Sequence, residues 1–179
     1  MTAYVVLFRG VGGATQLPTG PLRAALTEAG FAHVATYINS GNAILTSDRP
    51  AQEIASEVAA ICADRFGFRK DVHLRTRKDW ADLVAQNPFP EAVAAPTTLH
   101  AAVLAHDAAP EKVPALQALA AGGDRVAVVG RVAYLHTPTG LGTSLLATRF
   151  DKGIGVPNTA RNWNTVRRLM DLLDGIAGI

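Results

Sequence analysis

An α+β fold is predicted by three features of the sequence. Between Ala3 and Thr76 the apolar segments follow the order β-α-β-β-α-β. The first of those strands is apolar on both faces. The second half of the chain nearly repeats the same order.

Ala3 to Arg9 is a β-rich apolar run and reads as the first strand. The loop "GVGGATQLPTG" follows. Pro21 to Ala29 places Leu22, Ala25, Leu26 and Ala29 at helical spacing, and Gly30 stops that helix. His33 to Asn39 is the second strand. Ser40-Gly41 is a tight hairpin turn, and Asn42 to Ser47 is the return strand. Ala51 to Phe66 is a helix entered through Pro50, with Ile54, Val58, Ile61, Cys62 and Phe66 on one face. Val72 to Thr76 is the fourth strand. This order is the ferredoxin-like split unit.

The second half begins with a short helix at Asp79 to Ala85 and the turn "NPFP". A strand follows at Leu99 to Ala105, then a helix at Glu111 to Ala120. Arg125 to Val129 and Val132 to His136 form a hairpin around Gly130-Arg131. A helix at Ser144 to Phe150 and a closing helix in "ARNWNTVRRLMDLL" complete the chain. The second half thus reads as a βαββα-type unit with no fourth strand. The expected subdomains are 1–78 and 79–179. Because the first strand is apolar on both sides, the other half of the chain is expected to cover its second face and share one core.

The totals exclude several classes. Hydrophobic residues make up 49% of the chain, which argues against disorder, and a net charge of +2 demands no polyanionic partner. A single cysteine, Cys62, rules out an internal disulfide framework and fits a reducing compartment. The start "MTAYVVLFRGVGG" lacks the basic region of a signal peptide and the length of a membrane span. A cytoplasmic location without membrane association is expected.

The topology gathers polar residues at one sheet edge. There the ends of strands one and two meet the start of strand three. That edge should hold Arg9, Gly10 to Gly13, Asn39, Ser40, Gly41, Asn42 and the connector Gly67-Phe68-Arg69-Lys70. Backbone N–H groups, a helix N-terminus and a guanidinium suit an anion. The same glycines also serve an ordinary turn. Neither a Walker nor a dinucleotide fingerprint is present.

Other constellations are weaker. "HTPTGLGTSLL" is a loop-to-helix junction that Thr143 or Ser144 can cap. The five histidines show no metal-ligand spacing. His73 and His100 read as strand residues with structural roles, and His106-Asp107 as a candidate acid/base pair. Cys62 reads as inert core. "NSGN" lies between strands and is no nucleophile elbow. From Arg65 to Lys78 there are six Lys or Arg against one acid. Arg149, Lys152, Arg161, Arg167 and Arg168 form a second basic group. Strand three, "NAILTS", carries no aromatic, which argues against RRM-type RNA binding. In the closing helix, winding from Arg161 places Trp163 and Asn162 in the buried arc. Asn164 falls outside it, beside Arg168. Asn162 and Trp163 are therefore expected to be structural, and Asn162 to bond backbone of a neighbouring loop.

"LFRG", "TYINSGNAIL", "NPFP", "YLHTPTGLGTSLL" and "TARNWNTV" together resemble a bacterial family of uncharacterised proteins, domain of unknown function 1697. The resemblance runs from Tyr4 to about Leu173. It implies an α+β fold with a ferredoxin-like N-terminal part, and no established activity, cofactor or catalytic residue. Arg9, Asn39, Ser40, Gly41, Asn42, Arg161, Asn162, Trp163 and Asn164 match its motifs. The family's Arg-Gly loop continues through an Ile-Asn pair, whereas "RGVGGATQLP" is shorter and lacks that Asn. Thr143 stands where the family pattern often has a basic residue.

The leading functional expectation is binding of a phosphorylated small molecule or a nucleic-acid backbone. Its ligand-binding residues would be Arg9, Gly10, Asn39, Ser40, Gly41, Asn42, Arg161 and Asn164, with no metal or cofactor. A metal-independent hydrolase or transferase and a structural or adaptor module are the alternatives.

Overall fold

Eight strands and six α-helices make up a computed structural model that describes residues 1–177. The first half runs β1 (Thr2–Phe8), α1 (Thr19–Glu28), β2 (Ala32–Thr36), β3 (Asn42–Ser47), α2 (Ala51–Phe66) and β4 (Val72–Thr76). It forms a four-stranded antiparallel sheet in the order β2-β3-β1-β4, as the ferredoxin-like reading requires. Tyr4, Val6 and Phe8 of β1 pack with Leu22 and Leu26 of α1 and with Ile54, Val58 and Cys62 of α2. Val5, Leu7 and Ile44 point to the other face and are fully buried as well. The uninterrupted apolar run of β1 has its physical cause in that two-sided burial.

The second half carries α3 (Arg77–Ala85), β5 (Leu99–Leu104), α4 (Lys112–Gln117), β6 (Arg125–Val129), β7 (Val132–His136), α5 (Leu145–Ile154), β8 (Asn158–Asn162) and α6 (Trp163–Ala177). Its sheet has the order β6-β7-β5-β8, the same pattern as the first. Ala102, Leu104, Ala133 and Leu135 pack there with Leu116 of α4 and with Leu146, Phe150 and Ile154 of α5.

Strand β8 corrects the sequence reading. The βαββα-type assignment becomes a full βαββαβ, and residues 160–162, expected in the closing helix, are strand. β8 pairs antiparallel with β5 from Leu104↔Asn158 to His100↔Asn162. Its polar sequence "NTARN" carries no strand signal, so pairing along β5 decides its conformation. β2 is also shorter than His33 to Asn39, because Tyr37 to Gly41 form the connection to β3.

The chain divides into two compact units. One comprises residues 1–81 together with the stretch from Arg168 onward, and the other Asp82–Arg167. Sequence alone assigns all of 79–179 to the second. The divisions instead fall inside α3 and α6, so the later turns of α6 belong to the first unit. Among the described residues no helix is long and apolar enough to cross a membrane.

Two helix starts show how local sequence sets these elements. At α3, the Asp79 amide donates to Thr76 Oγ1 at 3.1 Å, while Asp79 Oδ2 accepts from the Thr76 amide at 3.1 Å. This is a reciprocal capping box. At α5, Ser144 Oγ accepts from the Ala147 amide at 3.0 Å and donates to buried Asp124 Oδ2 at 2.7 Å. Ser144 is thus the cap, while the Thr143 hydroxyl donates to the Thr139 and Gly140 carbonyls.

Candidate functional site

The edge of the first sheet is organised by three backbone bonds. The Phe8 amide donates to the Gly41 carbonyl at 3.0 Å, and the Arg9 amide to the Asp71 carbonyl at 3.0 Å. The Leu17 amide donates to the Asn39 carbonyl at 3.3 Å. These bonds gather the glycine loop, the β2–β3 connection and the approach to β4. Arg9, Gly10, Asn39, Ser40, Gly41 and Asn42 therefore come together. Lys70 joins them: its Nζ lies 3.8 Å from where a Cβ on Gly10 would stand. Gly10 has φ +64°, which favours glycine and keeps side-chain bulk away from that amine.

Within the connection, Asn42 is an organiser. It is fully buried, and its Nδ2 donates to the Tyr37 carbonyl and to Ser40 Oγ, each at 3.1 Å. The Tyr37 amide donates to the Asn42 carbonyl at 3.0 Å. These bonds bracket Ile38, which adopts φ +49° and is 46% exposed. A left-handed conformation at an exposed β-branched residue is strained and persists only because its neighbours hold it. Gly41 has φ +79°, and a Cβ there would stand 2.7 Å from Phe8 Cβ. Asn39 is exposed, as are Arg69 and Asp71 on the approach to β4, while Ser40, Arg9 and Lys70 are half-buried.

The remaining site candidates lie in the second unit. Arg161 sits on β8 opposite Ala101, and its Nη1 donates to Thr159 Oγ1 at 2.7 Å and to the Ala160 carbonyl at 2.8 Å. Burial pushes its pKa down to about 10, so it remains charged at neutral pH. Asn164 is exposed on the first turn of α6, and Trp163 is 2% exposed. Asn162 is half-buried at the junction of β8 and α6. It caps its own helix: Oδ1 accepts from the Thr165 amide at 3.1 Å. The expected bond to a neighbouring loop is replaced, because β8 places Asn162 outside the helix, where a cap belongs.

His106 and Asp107 do not act as a pair. His106 Nδ1 contacts the Asp107 carbonyl at 3.2 Å, and the Asp107 carboxylate receives Arg131 Nε at 3.2 Å. The "NPFP" turn proves structural. Asn87 Oδ1 accepts from the Phe89 amide at 3.0 Å, and the Phe89 ring carries the Arg125 guanidinium 4.5 Å above its centre. Arg125 also pairs with Glu91. Cys62 is fully buried, and burial pushes its thiol up to about 11.

Sequence reasoning overlooked Ile38 and His33, the two non-glycine residues at positive φ among the described residues. Neither residue type signals that conformation strongly. The one available clue at position 38 is Asn42, whose amide reaches back five residues to the Tyr37 carbonyl and so spans Ile38.

The second unit reproduces the backbone of this edge. The Leu104 amide donates to the Arg131 carbonyl at 2.9 Å and the Ala105 amide to the Pro157 carbonyl at 2.8 Å. Ala105 thus occupies the position of Arg9, and the two-residue turn Gly130-Arg131 replaces residues 37–41.

A solved structure with the same fold is that of the conserved bacterial protein SP0830 from Streptococcus pneumoniae. It is similar at a TM-score of 0.65 and 18% identity, over 96% of this chain and 98% of that one. No curated protein matches the chain. The family model described as "Protein of unknown function (DUF1697)" matches residues 1–134. The chain therefore belongs to the DUF1697 family.

Proposed function

We propose that the protein binds a phosphate-bearing ligand at the edge formed by Arg9, Gly10, Asn39, Ser40, Gly41 and Lys70. One observation carries this reading. The second unit makes the same pair of edge hydrogen bonds with Ala105 and a two-residue turn. The architecture therefore does not require an arginine at position 9, nor the longer strained connection at residues 37–41. Two cationic side chains beside glycine backbone are the chemistry an anion selects. Arg161 and Asn164 are proposed as ligand contacts of the second unit on its own. The lone, buried Cys62 supports a reducing, cytoplasmic location.

Thermal unfolding with pyrophosphate, ATP and a short single-stranded DNA tests the proposal. A ligand at a hundred times its Kd adds about 2.7 kcal/mol of stability. Arg9→Gln and Lys70→Gln should each remove most of that gain while leaving the unliganded fold intact. A steep fall of binding with salt, for DNA alone, assigns the ligand as a nucleic-acid backbone. No stabilisation by any of the three, or equal stabilisation of both variants, overturns the reading.

A further inference from the structure

Between the end of α3 and the start of α6 the second unit holds a cavity of about 290 Å³. Val84, Pro90, Val93 and Trp163 give it apolar walls, and Asn87 and Arg167 are its polar groups. All six residues belong to the second unit. The volume sits at the lower end of small-molecule sites, which span ~300–1,000 Å³, so the ligand it suits is small.

The "NPFP" turn builds one wall. Asn87 Oδ1 accepts from the Phe89 amide at 3.0 Å, and Asn87 Nδ2 donates to the Phe89 carbonyl at 3.3 Å. These bonds set the path of the chain, with Phe89 buried and Asn87, Pro90 and Val93 lining the cavity. A carboxamide nitrogen carries two N–H groups, so the turn leaves one of them over.

Helix α6 supplies the cation. Arg167 follows Trp163 by four residues, which puts both on one face of the helix. Trp163 is 2% exposed, and Arg167 is exposed. Arg167 also stands four residues before Asp171, the spacing of a helix ion pair. Among the described residues it nevertheless makes no ion pair and its side chain no hydrogen bond; it lines the cavity instead. No lining residue is acidic, and Glu91, next to Pro90, is engaged by Arg125. We infer that this cavity binds a small monocarboxylic acid carrying one apolar ring. The ring would lie against Val84, Val93 and Trp163. The carboxylate would take the planar fork of Arg167, with the spare Asn87 N–H as a further donor. One guanidinium neutralises one carboxylate, whereas a phosphate monoester brings nearly two charges at neutral pH. The Arg9 edge is a different site, in the other unit.

NMR titration of the full chain with hydrocinnamate, its neutral amide and phenyl phosphate tests the inference. Hydrocinnamate should shift the Trp163 indole N–H and the backbone amides of Val84, Asn87 and Val93. The neutral amide should bind about tenfold more weakly, the effect of one lost charge-assisted hydrogen bond. Phenyl phosphate should also bind more weakly than hydrocinnamate. So should N-acetylphenylalanine, which mimics the last residue of a peptide, because its acetamide adds bulk in a small cavity. Arg167→Gln lies at the surface and should keep the fold. It should weaken hydrocinnamate about tenfold and abolish the preference for acid over amide. Arg167→Lys, which keeps the charge without the planar fork, should fall between. The edge site is read separately through Gly10 and Gly41, so the two sites succeed or fail independently. Unshifted Trp163 and Val93 signals, or an unchanged preference for the acid in Arg167→Gln, overturn the inference. Tighter binding of phenyl phosphate or of N-acetylphenylalanine overturns the assignment to a free monocarboxylic acid.

Discussion

The Asn162 carboxamide oxygen accepts the Thr165 amide, so the last residue of β8 is also the first restraint on α6. Strand and helix follow one another without a loop, and one side chain secures the change of direction. Asn162→Ala should cost about 1 kcal/mol, as a lost helix cap does. Asn162→Ser should recover most of it. Asn164→Ala, on the exposed side of the first turn, should change stability by less than ~0.5 kcal/mol. Urea midpoints of the three variants check this order.

Gly41 and Gly67 separate two costs of a side chain at positive φ. Gly67 has φ +76° and nothing within 4 Å of a built Cβ. Gly67→Ala should cost ~1 kcal/mol through backbone strain alone. Gly41 has a similar φ of +79°, but its Cβ would meet Phe8 Cβ at 2.7 Å. Gly41→Ala should therefore lose ~1–3 kcal/mol more, through overpacking. Equal losses in urea unfolding would show that the edge yields freely around Phe8.

Ile38 should be improvable. Replacing it with asparagine keeps the left-handed backbone at lower cost and removes an exposed apolar side chain. Ile38→Asn should gain ~0.5–1 kcal/mol. Thermal unfolding measures the gain. If the strain serves the edge site, the same variant should bind pyrophosphate differently from the parent.

Acid should weaken the fold through histidine. Burial holds His100 below its ordinary value of 6.5. His136 is lowered too, first by burial and then by the Arg125 charge. Both favour the neutral ring in the folded state, so the unfolded chain binds more protons as pH falls. Their contribution is fully present above pH 6.5 and is lost as pH falls from there through the folded values. Each fully titrating group contributes at most ~1.4 kcal/mol per pH unit. Urea unfolding at pH 7.5 and pH 5 should show the loss, and His100→Gln should reduce it.

Much of the fold was legible because its elements announce themselves by period. The two-sided apolar run of β1 and the spaced faces of α1 and α2 carry strong local signals. β8 carries none: "NTARN" is polar, and only its partner β5 makes it a strand. The same divide runs through the candidate edge. Strand order brings Arg9 to residues 39–42 once the βαββαβ order is read. The strained backbone of Ile38 is set by the buried amide of Asn42, and that of His33 by a register shift against β3. Both are consequences of neighbours in space, beyond the reach of residue preferences. Asn162 was assigned the wrong partner because the helical phase was counted from inside a strand.

The division inside α6 has a consequence for synthesis. The first compact unit is discontinuous in sequence, closed only by the stretch from Arg168 onward. A ribosome that has released residues 1–167 has delivered the second unit whole and the first one incomplete. The Arg77–Asp174 ion pair is still missing at that moment. The half that is begun first is finished last, so native closure of the first unit waits until the later turns of α6 have emerged.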